Sequence, residues 1–141
     1  MEFLKNYIDI IIFIILGIMA FIALWCVIER ILFLRKIDFE EYTSQEDFDN
    51  VISENLTTLN IIYSNAPYVG LLGTVVGIMI TFYEMGLAGN IEVKSIVIGL
   101  SLALKATALG LLVAIPTLMA YNGLLRRVSL LSNSYKAYKN A

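Results

Sequence analysis

The chain has 141 residues, 59% of them hydrophobic and 16% charged, with a net charge of −2, no histidine and one cysteine. A mean hydropathy of +0.79 excludes a small water-soluble domain, which must cover its surface with polar groups, and a disordered chain, which needs low hydrophobicity and high net charge. Without histidine, with Cys26 alone and with scattered basic residues, no metal cage, disulfide framework, cofactor site or nucleic-acid patch is expected, and the composition points to a small all-α integral membrane protein.

Gaps between charges locate the elements. No charged residue lies between Asp9 and Glu29, a gap of 19 residues, and a spanning helix needs about 20 apolar residues at about 1.5 Å each. The first transmembrane helix is predicted over about 8–34. The run is too long for the apolar core of a signal peptide, and no small-x-small cleavage site precedes Glu29-Arg30. Membrane strands are a poor alternative, because the Ile/Leu runs do not alternate and an open sheet cannot survive in lipid.

Residues 36–62 form an acidic segment expected on the cytoplasmic side, with seven acids and no base between 37 and 54. Ser44 with Asp47 resembles a capping box, and Phe48, Val51, Ile52, Leu56 and Leu59 recur at helical spacing, which predicts an amphipathic helix. Whether it runs straight into the next span, with a kink at Pro67, is open. The second transmembrane helix is predicted over about 66–86. An outer turn follows over 87–94, marked by Gly86-Leu-Ala-Gly89-Asn90. The third helix, about 95–121, is interrupted only by Lys105, and a cytoplasmic tail covers 122–141. In the tail Leu124, Val128, Leu131, Tyr135 and Tyr138 form a four-three-four-three seam, which is expected to find its partner helix in another subunit. Arg30, Arg35, Lys36, Arg126, Arg127, Lys136 and Lys139 follow the first and third spans, against Lys5 and Lys94 at the other ends. The positive-inside rule then predicts an N-out, C-in orientation.

Three features inside the spans carry chemistry. Small residues at Ala66, Gly70, Gly73, Thr74, Gly77 and Thr81 share one face of the second helix, and Gly99, Ala103, Ala106, Thr107, Gly110 and Ala114 share one face of the third. Such stripes let backbones approach closely in lipid, so Gly70, Gly73, Gly77, Ala103 and Gly110 are expected to be packing positions. Thr74 and Thr107 should lie at one depth near the bilayer middle. Either each bonds its own i−4 carbonyl, or the pair hydroxylates a narrow lumen. Lys105 is an ionisable group near a helix centre, which costs about 2.5–3.5 kcal/mol on insertion scales. It lies about 200° round the helix from Thr107, at about 100° per residue, so the two cannot face one lumen. Glu84 lies about 14 Å away along the helix axis, at about 1.5 Å rise per residue, farther than a lysine side chain bridges. Lys105 therefore needs headgroups, water or a carboxylate from another chain. Helices 2 and 3, which carry the small residues and threonines, are expected to line the interior of an oligomer, with the bulky first helix toward lipid.

The stretches NAPYVGLLGTVVGIMITF (65–82) and GLSLALKATALGLLVAIPTLMAYN (99–122), with Trp25-Cys-Val-Ile-Glu29-Arg30 at the end of the first helix, resemble the ExbB/TolQ/MotA proton-channel superfamily. The chain is similar in length to a compact ExbB, the energiser of TonB-dependent uptake, and TolQ of the Tol-Pal system is the near alternative. The resemblance implies a multi-pass protein of the bacterial inner membrane, assembled as a homo-oligomer, a pentamer in the ExbB case. It also implies an ExbD-like single-span partner in the lumen, whose transmembrane aspartate carries protons, and a TonB-like protein on which work is done. Thr74 and Thr107 match the family's pore threonines, in GTVxGIM and ATAxGL. Leu102 stands where ExbB and TolQ often carry glutamate, and Lys105 departs from the pattern. The rival function is a structural membrane scaffold without proton conduction. No carboxylate pair, phosphate loop or activated cysteine suggests an enzyme.

Overall fold

The computed structural model describes residues 2–141, with side chains from Tyr7 onward. Four α-helices make up the fold: α1 (Glu2–Arg35), α2 (Gln45–Ile52), α3 (Leu56–Ala88) and α4 (Val93–Asn140). A short 3-10 turn, Phe39–Glu41, lies between α1 and α2. There is no strand among the described residues, and three of the helical segments are long and apolar enough to cross a membrane.

α3 and α4 form an antiparallel hairpin. Gly89, with φ of 78°, closes α3, and its N–H bonds the Met85 carbonyl at 3.2 Å. This left-handed position is one that only glycine adopts without strain. α1 packs along the hairpin through one stripe, Ile12, Leu16, Ala23, Cys26, Arg30 and Leu34, all buried. Its other faces leave Ile14, Ile18, Phe21 and Trp25 exposed, an apolar surface suited to lipid or to another chain. α4 does not stop at the end of its apolar run but continues to Asn140 as one helix, and α3 begins well before its own apolar run, passing through Pro67.

The join between α2 and α3 is a break and not a continuous helix. Ser53 closes α2, and Asn55 takes φ of 69° before α3 starts at Leu56. Asparagine is, after glycine, the residue that tolerates this conformation best. At the other end of α2, the Ser44 hydroxyl accepts the Asp47 N–H at 3.1 Å, the first half of the capping box read from the sequence.

The tail seam corrects an expectation. It is covered within the same chain, not by a second subunit. Tyr135 is fully buried and stacks on Phe48 of α2, with ring centroids 4.2 Å apart and planes 9° from parallel. Phe39 of the 3-10 turn meets both rings edge-on, and the Tyr135 hydroxyl donates to the Tyr42 carbonyl at 2.9 Å. Ser132 donates to Asp49 at 2.6 Å and accepts from Gln45 at 3.2 Å, which fixes the register of α2 on α4. The acidic segment thus turns its few aromatic side chains and Asp49 toward α4 and its other carboxylates outward, and the tail seam is the surface that receives the aromatic rings. Tyr138, the last member of the seam, stays exposed.

This cluster makes a stability prediction. Tyr135→Ala should destabilise the chain by about 3–5 kcal/mol, the range for large aromatic truncations in a core. Tyr135→Phe, which keeps the stack and loses one hydrogen bond, should lose about 1 kcal/mol. Thermal unfolding in detergent, with tryptic release of the tail at Lys136 and Lys139, measures both. Equal resistance of Tyr135→Ala and the parent would show that the stack contributes nothing.

Candidate functional site in the membrane

The crossing of α3 and α4 brings the two small-residue stripes face to face. A Cβ on Gly70 would stand 2.5 Å from the Ala106 carbonyl oxygen, and one on Gly110 would stand 2.7 Å from that of Ala66. These two positions require glycine because backbone meets backbone there. Gly73 and Gly77 lie against the Cβ atoms of Ala106 and Ala103. Ile12 of α1 also reaches Gly73, so the three helices converge at this level.

At that convergence lie Thr74 and Thr107. Thr74 is buried, 6% exposed, and its hydroxyl oxygen is within hydrogen-bond distance of the Thr107 hydroxyl. It is 2.9 Å from the Ala103 carbonyl across the crossing and 3.3 Å from its own i−4 carbonyl, Gly70. A hydroxyl has one proton to give. The shorter, interhelical bond to Ala103 is the better use of it, and Thr107 then donates to Thr74. Ala103 is the i−4 residue of Thr107, so Thr74 occupies the acceptor that Thr107 would otherwise use. Thr74 does not reduce to simple back-bonding. Thr107 is half-buried, and in this arrangement its oxygen keeps acceptor capacity for one more donor. Rotating both protons the other way makes the same oxygen a donor.

A cavity of ≈580 Å³ opens beside the pair, between α1, α3 and α4. Gly77 and Ala103 line its deep end, within a turn of Thr74 and Thr107, and Asp9, Glu84, Glu92 and Ser95 line its end near the α3–α4 turn. No basic side chain is among its lining residues. The cavity is rimmed by acids, and neither Thr74 nor Thr107 is among its lining residues.

Lys105 stands apart. It is exposed on the single chain, with Nζ 5.6 Å from the centre of the Phe13 ring of α1, within cation–π range. It has no carboxylate partner among the described residues. Other threonines back-bond as mid-helix threonines usually do: Thr81 donates to Gly77 at 2.9 Å, and buried Thr117 to Val113 at 2.7 Å.

A second polar centre lies at the end of α1. Arg30 is 2% exposed. Its guanidinium takes both carboxylate oxygens of Glu29 at 2.5 Å each and donates to the Val51 carbonyl at 2.7 Å. Asn55 donates to the same carboxylate at 3.0 Å, and the Phe33 ring packs 4.4 Å from the guanidinium carbon. Arg30 thereby caps the C-terminus of α2, where a cation is favoured by the helix dipole and by orphaned carbonyls. The sequence signal is the adjacent Glu29-Arg30 pair at the end of an apolar run, which marks the end of the span without showing that Arg30 is buried against α2.

Residues 34–137 match the MotA/TolQ/ExbB proton channel family. The chain is 54% identical over 139 residues to the biopolymer transport protein ExbB of Helicobacter pylori strain J99, covering 99% of this chain and 96% of that protein. It is 48% identical over 128 residues to the ExbB of Aquifex aeolicus, covering 91% and 86%. The Tol-Pal system protein TolQ of Haemophilus influenzae is 43% identical over 77 residues, 55% of this chain and 34% of TolQ.

Proposed function

We propose that this chain, which belongs to the MotA/TolQ/ExbB proton channel family, is the ExbB-type subunit of an inner-membrane motor that couples the proton-motive force to TonB-dependent transport across the outer membrane. The ExbB reading is favoured over TolQ because similarity to ExbB runs the length of both chains, while the TolQ alignment covers 34% of TolQ. The observation that carries the mechanism is the linked Thr74–Thr107 hydroxyl pair, about one helical turn from Gly77 and Ala103, which line an acid-rimmed cavity.

Threonine is not among the side chains that titrate, so the pair relays or orders protons but does not carry charge. Residues 10–28 and 55–83 contain no charged side chain, and the third apolar run contains only Lys105, so the carrier carboxylate belongs to another chain. An ExbD-like single-span helix in the lumen of a homo-pentamer supplies it, and a TonB-like protein receives the motion. In this assembly α3 and α4 line the interior and the Ile/Phe face of α1 meets lipid. The basic ends of α1 and α4 lie on the cytoplasmic side with α2 and the tail.

Proteoliposomes containing this chain and its ExbD-like partner test the reading. A pH gradient should collapse faster than in vesicles with either protein alone. Assembly without any proton flux would leave a structural scaffold as the function. Loss of TonB-dependent uptake on gene deletion supports ExbB, whereas an outer-membrane integrity defect with normal uptake would assign the chain to a Tol-Pal system.

Lys105 is proposed to pair with a carboxylate of a neighbouring subunit. Breaking a buried pair at one side costs about 3–5 kcal/mol, so Lys105→Met should shift the oligomer toward smaller species on native gels. Unchanged assembly and uptake would reduce Lys105 to a side chain that reaches toward headgroups.

A further inference from the structure

Between α1 and α4, at the opposite end of the molecule from the acid-rimmed cavity, runs a groove of ≈370 Å³. Val27 and Ile31 of α1 and Ala120 and Gly123 of α4 contribute to its walls, and Arg35 and Arg127 stand at its end. The volume lies within the about 300–1,000 Å³ of typical ligand pockets. The groove descends along two parallel helices from aliphatic side chains to a pair of guanidinium groups, the profile of a lipid tail joined to its headgroup. Both arginines are exposed, and neither forms an ion pair with a described residue. This distinguishes them from Arg30, five residues before Arg35 on α1, whose charge is matched by Glu29.

We propose that this groove seats an acyl chain of an anionic phospholipid, with its phosphate held between Arg35 and Arg127. Charge complementarity selects the headgroup, since basic pockets at the ends of membrane helices attract anionic lipids. The aliphatic walls select a lipid over a free anion, because apolar burial along the tail adds to the attraction. Gly123 keeps the groove open: a Cβ there would meet nothing within 4 Å, in contrast to Gly70 and Gly110. Its small size has no packing reason inside the chain.

The test uses the full chain purified with its partner and titrated with phosphatidylglycerol or phosphatidylcholine in native mass spectrometry. Phosphatidylglycerol should be retained about tenfold more strongly than phosphatidylcholine, the effect of roughly one or two basic contacts at a membrane surface. Arg35→Gln/Arg127→Gln should abolish that preference. Gly123→Leu, which fills the groove and leaves both charges, should lower retention of both lipids. Lys136→Gln/Lys139→Gln, which removes the same charge from the tail, should change neither. Equal binding of the two lipids by the parent, or wild-type retention by Gly123→Leu, would overturn the site. Competition by glycerol phosphate as strong as by phosphatidylglycerol would make it a soluble-anion site instead. Loss of the oligomer in Gly123→Leu would show that a second copy of the chain fills the groove.

Discussion

Thr107→Val is expected to reduce proton flux through the reconstituted complex at least about tenfold, equivalent to about 1.4 kcal/mol of barrier, with the oligomer intact. With Thr74 donating to the Ala103 carbonyl at 2.9 Å, Thr107 is left to donate to Thr74. Removing the Thr107 hydroxyl therefore leaves the interhelical bond to Ala103 in place and takes away only the half-buried second oxygen of the pair. Thr74→Val acts differently. It frees Ala103, and Thr107 falls back on that carbonyl, its own i−4 acceptor, ending the link. Interhelical hydroxyl bonds in membranes average about 0.6 kcal/mol, too little to dismantle an assembly held by three long helices. Both variants should thus assemble normally and conduct poorly. The double variant should be no worse than either single, because one relay interrupted at one point is already interrupted. Wild-type flux in the double variant would remove both residues from the path.

Arg30→Met is the second large effect, and it acts on stability and not on conduction. Truncating one partner of a buried ion pair costs about 3–5 kcal/mol. The lower end applies here, since Glu29 remains 32% exposed and can recover water. The Val51 carbonyl at the end of α2 also loses its donor. Arg30→Lys should recover only part of the loss, because a single ammonium cannot hold two carboxylate oxygens and a carbonyl in one plane. Unfolding temperature in detergent and Glu-specific cleavage around Glu40, Glu41 and Glu46 report the outcome. Wild-type protection of the acidic segment in Arg30→Met would show that α2 is held by its aromatic contacts alone.

The spans were legible because charge is so costly in lipid that its absence marks them directly, and the small-residue stripes were legible because helical periodicity puts them on one face. The meeting of Thr74 with Thr107 followed from counting residues away from a short turn. What hid the tail's partner was different. Phe39, Phe48 and Tyr135 are separated by up to 96 positions, and periodicity shows that a face is apolar without showing which other face covers it. Arg30 was hidden for a related reason. Its acceptors are backbone carbonyls, and they become available only because α2 ends at Ile52. That end depends on Asn55 entering the left-handed region, in a stretch with no glycine or proline to announce it. Side-chain chemistry is written in the sequence, whereas free carbonyls are created by where helices stop.

The pairing of Arg30 with its immediate neighbour bears on how the chain is made. The acceptors at Val51 and Ile52 lie 21 and 22 residues downstream. At about 5–20 residues per second, a ribosome needs about 1–4 s to reach them. During that interval α1 must settle in the bilayer with its cation at the boundary and α2 not yet present. Glu29 exists one residue earlier and offers both carboxylate oxygens at once. The Arg30 charge is therefore matched from the moment it emerges, and the bond to α2 completes an arrangement in which that cation never has to wait unpaired.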